Sequence, residues 1–277
     1  MFLATWHRSR LSAAGLPCSF CHAILDEGTA MRPQIYLPEM NKKYMIKQIG
    51  SFVEVYNLKL KSVYDNIDTE AEKHGNDYYE GVIQKTYPPD VIDPASIAEE
   101  AMDRSIEHWD LLYHGRYILL SSWHVALYEA FEQQLRLFLY KEISHNFSIN
   151  LDQVPSKLAG LKGILVCYGV DFNLLKGLKQ IDHLRLVCNV VKHGEGPSAR
   201  KLRKQRPDLI RIHDDTELLD LYGSSLLDEV LSITDKSLKE FGAAIESFWD
   251  SFPERSDCDK PEALWKKLRN KRYGKMT

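Results

Sequence analysis

No uninterrupted apolar run in this chain comes near the roughly 20 residues that cross a bilayer as a helix, so no membrane partner is expected. Cysteine is scarce: five, at positions 18, 21, 167, 188 and 258. An odd, scattered set offers no disulfide framework and points to a reducing, cytoplasmic setting. Cys167 and Cys188 sit in apolar stretches and read as small buried hydrophobes. Neither sign of charge dominates. Lys and Arg number 36 against 39 Asp and Glu, a net charge of −3, so no overall field recommends nucleic acid or a membrane surface. There is no phosphate-cradling glycine loop, no dinucleotide fingerprint, no nucleophile elbow and no internal repeat. Period-two alternation is absent too, Leu209-Ile-Arg-Ile212 being the best short strand candidate.

What is present is helical spacing, in a chain of 277 residues that is 44% hydrophobic and can bury a full core. Ile46, Ile49, Val53, Tyr56, Leu60, Val63 and Ile67 predict a helix over about 41–73, broken at Gly75-Asn76. A connector over 76–92 ends in Pro88-Pro89. Asp93-Pro94 is an N-cap followed by proline at the first helical position, opening a helix to about His114, where Gly115 interrupts weakly. Further helices are expected over about 117–143, 156–168 and 173–193, then a short basic helix ahead of Pro207 and a long closing helix over 216–250. The fold class is all-α.

Residues 1–40 differ in character and read as an unstructured leader or an over-long start, Met31, Met40 and Met45 each being a candidate beginning. Cys18-Ser-Phe-Cys21-His22 matches a haem-attachment pattern, which needs export, and the first 17 residues carry no continuous apolar segment for it. Zinc would need two further ligands at workable spacing, and none is nearby. Neither a metal nor a cofactor is expected.

The most informative stretch is Asp182-His-Leu-Arg185-Leu-Val-Cys-Asn189-Val-Val-Lys-His193-Gly194. Positions four apart advance only about 40° around a helix, so Arg185, Asn189 and His193 form one polar stripe. Leu184, Val187, Cys188 and Val191 fall on the opposite, buriable face. Asn is a poor mid-helix residue with no capping duty here. Gly194 has the position of a helix-ending glycine, which puts His193 in the last turn, where the helix dipole favours its charged form. That histidine is either an acid/base group or a C-terminal cap. Arginine, amide and imidazole on one face are the groups needed to hold and attack a phosphodiester.

On the helix over 117–143, Glu132 and Arg136 are spaced for an intrahelical ion pair. Downstream of the stripe, Arg200, Lys201, Arg203, Lys204 and Arg206 form a basic cluster suited to tracking phosphates, as does Lys192. A second cluster (Lys266, Lys267, Arg269, Lys271, Arg272, Lys275) reads as a solvated tail.

Over roughly residues 110–250 the chain resembles the HEPN superfamily, all-helical domains of which many are metal-independent ribonucleases of toxin–antitoxin and antiphage systems. The resemblance rests on the helix around Ala130-Phe-Glu132-Gln-Gln-Leu-Arg136, the Arg185 to His193 helix and a long closing helix. Its specific part is Asn189-Val-Val-Lys-His193-Gly194. The family's arginine usually stands immediately before the polar residue; here that position is Cys188, and Arg185 lies about 12 Å along the axis from His193.

The resemblance implies a HEPN-type helical bundle over 116–252, preceded by extra N-terminal helices over 41–115 and followed by a basic tail over 253–277. It implies a homodimer, RNA as substrate, a possible antitoxin or regulatory partner and no cofactor. His193 would be the acid/base, Arg185 would stabilise the phosphorane, Asn189 would orient the attacking 2′-hydroxyl, and Glu132 would orient the imidazole or the arginine. The alternative is a non-catalytic helical dimerisation module that binds protein or nucleic acid. A catalytic stripe should line an open groove, and a structural one should be closed over.

Overall fold

A computed structural model of the chain describes residues 32–85 and 93–269. The fold is all-α, with nine α-helices and two small two-stranded ribbons among the described residues. Cys18, Cys21 and His22, the Pro88-Pro89 pair, and Lys271, Arg272 and Lys275 lie outside them.

The first described strand, β1 (Gln34–Tyr36), lies within the first forty residues, and Ile35 and Leu37 beside it are buried. Helix α1 (Glu39–Val55) follows. The single helix expected over 41–73 is two helices. After α1 the chain passes through a π turn (Tyr56–Leu60) and a 3-10 turn (Lys61–Tyr64) before α2 (Ile67–Lys85). A distant anchor accompanies the interruption: buried Tyr56 donates its hydroxyl to Asp235 at 3.0 Å, and Lys61 pairs with the same carboxylate at 2.7 Å.

Gly75-Asn76 does not break α2. A Cβ on Gly75 would stand 2.6 Å from the carbonyl oxygen of Ala101, so glycine here lets two helices touch backbone to backbone rather than ending one. The helix it touches is α3 (Pro94–Ser144), 51 residues and about 76 Å long. Asp93 caps it, accepting from the amide of Ala95 at 3.0 Å, with Pro94 at the first position as the sequence predicts. Gly115 does not divide it; the expected pair of helices is one rod.

The remaining helices are α4 (Leu158–Cys167), α5 (Leu178–His193), α6 (Pro197–Gln205), α7 (Leu218–Tyr222), α8 (Asp235–Ser251) and α9 (Pro261–Arg269). The helix expected over 216–250 is thus a short α7, an extended stretch and α8. Gly223, with φ of +65°, ends α7. Thr234 and Ser237 form a reciprocal cap at the start of α8. Between β2 (Ile212–His213) and β3 (Thr216–Glu217) runs a small hairpin, and Ile210 bridges to Leu231. The last strand, β4 (Arg255–Asp257), pairs antiparallel with β1, Gln34 opposite Asp257.

The core lies where the C-terminal half of α3 meets α5 and α8, with α1 against α8 and α4 against α3. Phe131 meets Phe248 edge-on at 5.1 Å, and Phe138 meets Phe252 likewise at 5.5 Å, the T-shaped geometry that aromatic quadrupoles favour. The buried indole of Trp249 donates to Gln134 at 3.0 Å. No helix among the described residues is long and apolar enough to cross a membrane.

Candidate functional site

Helix α5 is amphipathic in the way its sequence predicts: Leu184, Val187, Cys188 and Val191 are all buried. Its opposite side, together with α3 and the start of α4, walls an open cleft of about 490 Å³. From α5 come Asp182, Arg185, Cys188, Asn189 and Lys192; from α3, Tyr128 and Glu132; from the beginning of α4, Lys157, Leu158, Ala159 and Lys162. The polar lining therefore holds four cations against two carboxylates. Such a balance favours an anion.

Internal pairs hold the cleft's geometry. Asp182 receives Lys162 at 3.3 Å and Arg185 at 3.4 Å, joining α4 to α5. Lys192 pairs with Glu129 on α3. Asn189 donates to the Ser198 hydroxyl at 3.2 Å, so the amide that is unfavourable mid-helix ties α5 to the first turn of α6.

Glu132 is not a surface ion-pair partner of Arg136. It is buried, and one carboxylate oxygen, Oε1, accepts both the Tyr128 hydroxyl at 2.9 Å and the Leu158 amide at 2.7 Å. The second of these satisfies a first-turn donor of α4, whose own N-cap residue, Lys157, contributes no side-chain bond. Burial, reinforced by Glu132, pushes the Tyr128 phenol up, which keeps it a donor. Arg136 turns instead to the backbone, donating to the carbonyls of Leu151 at 2.8 Å and Val154 at 3.1 Å. Two backbone carbonyls gripped by one guanidinium outweigh a solvent-exposed pair worth a few tenths of a kcal/mol.

Cys188 stands at the position before Asn189, and the fold leaves no room there for a long cation. Its thiol is buried and directed at the His124 carbonyl of α3 at 3.5 Å. Burial pushes that thiol up, which makes it a packing group rather than a nucleophile.

His193 stands apart. It is exposed, does not line the cleft, and makes no hydrogen bond or ion pair among the described residues. It does not cap α5 either: Ser225 reaches the carbonyls of Val190 at 2.6 Å and Val191 at 2.9 Å. Gly194 has φ of +65°, and a Cβ there would fall 2.2 Å from the Gly223 carbonyl oxygen, so only glycine permits this exit from the helix.

The basic cluster is largely occupied. Arg203 pairs with Glu195, Glu217 and Asp220, and Arg206 with Asp208 and Glu240. Arg200 lies 3.8 Å from Glu195, while Lys201 and Lys204 are exposed and unpaired among the described residues. Arg185, Asn189, Lys192 and Glu132 thus come together; His193 and the α6 cluster do not join them.

Tyr128, Lys157 and Lys162 are cleft residues that the sequence reading passed over. A signal was available: Lys157 and Lys162 are the charged residues of an otherwise apolar segment, Lys157-Leu-Ala-Gly-Leu-Lys162-Gly-Ile-Leu-Val166. Among the described residues no group of three or more His, Cys, Asp or Glu side chains is placed to hold a metal ion. No family model, curated protein or solved structure matches the chain.

Proposed function

We propose that this chain is a HEPN-type protein that holds single-stranded RNA in the α3–α4–α5 cleft and cleaves it without a metal. In this reading it is a cytoplasmic homodimer of a defence or toxin–antitoxin system, restrained by a protein partner. The observation that carries the reading is the convergence of Arg185, Asn189, Lys192 and Glu132, from two distant stretches, on one open cationic cleft. Arg185 is half-buried, charged and free to present its fork to a phosphate while Asp182 steadies it. Lys157, Lys162 and Lys192 flank it and bind neighbouring phosphates.

The reaction is attack of the ribose 2′-hydroxyl on the adjacent phosphorus with departure of the 5′-oxygen, leaving a 2′,3′-cyclic phosphate. It requires a proton acceptor, a proton donor and stabilisation of the phosphorane charge. His193, beyond the cleft at the end of α5, serves as the acid/base group for the nucleotide that follows along the strand from the one the cleft holds. Arg185 holds the phosphate in the cleft and contributes charge stabilisation from there.

A second reading has its own support. His193 lacks an orienting partner among the described residues, as expected of a module that binds RNA or protein without cutting it. Incubation of purified protein with single-stranded RNA in EDTA separates the two. The catalytic reading expects products with 2′,3′-cyclic phosphate ends, lost with growth toxicity in His193→Ala while the fold and oligomeric state persist. Undiminished cleavage by His193→Ala, or a strict metal requirement, would sink it.

A further inference from the structure

Glu132 has one oxygen in use and one to spare. Oε1 takes both donors that the protein supplies, Tyr128 and the Leu158 amide. Oε2 has no partner among the described residues. It is not sealed away, because the buried polar side-chain atoms left without partners are Tyr168 Oη and His183 Nδ1 alone among those residues. Glu132 is only 6% exposed and contributes to the cleft wall, so the spare acceptor meets the cleft. Beside Asp182, which is taken up by Lys162 and Arg185, the cleft therefore contains one acceptor oxygen with no protein partner among the described residues. An anion alone would be repelled by it; a ligand that carries a hydrogen-bond donor next to its anionic group is matched by it.

Resting on the RNA-binding reading above, we propose that Glu132 is the residue by which the cleft distinguishes RNA from DNA, accepting the ribose 2′-hydroxyl through Oε2. The sugar is the part of a nucleic acid joined directly to the phosphate, and a cleft of about 490 Å³ admits little more than one nucleotide. With a phosphate on Arg185 and the lysines, the group nearest the acceptor is the 2′-substituent, the chemical difference between the two polymers. Glu132 is a positioning and specificity residue here, anchored on two elements, since it also fixes the first turn of α4.

The anchor makes a clean test. The Leu158 amide can only donate, so in Glu132→Gln the side-chain carbonyl must take the Oε1 place, which leaves the amide nitrogen at the Oε2 place. The variant keeps the α4 anchor and converts the cleft acceptor into a donor. Binding of labelled single-stranded RNA and DNA of one sequence is measured in EDTA, in the His193→Ala background so that RNA stays intact. The parent should prefer RNA by about tenfold, the scale of one hydrogen bond to a charged group. Glu132→Gln should lower the ratio several-fold, because the amide can meet the 2′-hydroxyl only by donating to it as to a neutral acceptor, and should not weaken DNA binding, because a negative charge has left the cleft. Arg185→Ala should weaken both polymers alike.

A second measurement needs no change at position 132: 2′-O-methyl RNA, which cannot donate, should bind like DNA. An unchanged RNA preference in Glu132→Gln, or 2′-O-methyl RNA binding as tightly as RNA, overturns the role of Glu132 while cleft binding stands. Failure of both polymers to bind, or indifference of both to Arg185→Ala, overturns the RNA reading of the cleft together with the inference.

Discussion

The two halves of α3 are one continuous helix in two different environments. Over 94–115 only Ile97 and Ala101 are buried, and the partner is α2. Over 116–144 twelve residues are buried, from Tyr117 to Ile143, among α5, α8, α4 and α1. Charge divides along the same line. Helix α2 and residues 94–115 together carry ten carboxylates against three bases, net −7, which leaves +4 on the rest of a chain whose total is −3. The near-neutral total thus conceals an acidic two-helix arm, while the other described residues are nearly balanced, 28 bases against 26 carboxylates. The arm, at net −7, repels a polyanion. Met102, Ile106 and Leu111 stand exposed on the arm, where Ile97 and Ala101 are the buried residues of α3, whereas the body has the large buried core.

That contrast can be broken most forcefully in the core. Phe131→Ala should cost about 3–5 kcal/mol in chemical denaturation, as truncation of a buried aromatic does. On the same helix, Met102→Ala should stay within about 0.5 kcal/mol, because its side chain already meets solvent. Comparable losses would mean that the arm is packed as tightly as the body.

Acid should act on the body next. His124 is fully buried between the Leu120 carbonyl and the Ser237 hydroxyl, and burial lowers it from 6.5 to about 4. The unfolded chain takes up that proton first, so stability is complete above pH 6.5 and declines as pH falls toward 4. The loss from this group is on the order of 3 kcal/mol. Melting curves across that range should show the decline, and His124→Gln should flatten it.

The smallest effect belongs to the arm. Gly75→Ala drives a methyl into the Ala101 carbonyl and should loosen α2 from α3 by about 1–3 kcal/mol. Hydrogen exchange should quicken over 67–85 and 94–115 while α5 and α8 keep their protection. Acceleration throughout the molecule would show that arm and body unfold together.

The same division explains what could be read from the sequence. Local signals were legible: the Asp93-Pro94 start of α3, the apolar face of α5 and its end at Gly194. Signals that depend on distant partners were not. Gly75 looks like a breaker until Ala101 is brought against it. Tyr56 keeps the apolar rhythm of α1, and nothing nearby shows that Asp235 will claim its hydroxyl. Apolar spacing runs on past Gly223, which hides the extended stretch ahead of α8. The β1–β4 ribbon joins residues more than 200 positions apart. For the site, α5 supplied its own stripe, but the Glu132–Leu158 contact that completes the cleft crosses from α3 to α4. Cys188 is explained only by the buried His124 carbonyl it faces.

The proposed RNA reading predicts that RNA contacts the chain at the α3–α4–α5 cleft and leaves the acidic arm alone. Hydrogen–deuterium exchange of the His193→Ala protein with and without single-stranded RNA tests it most directly. Added protection should centre on residues 156–162 and 182–193, with residues 67–85 and 94–115 unchanged. Protection of the arm with none at the cleft would contradict the account.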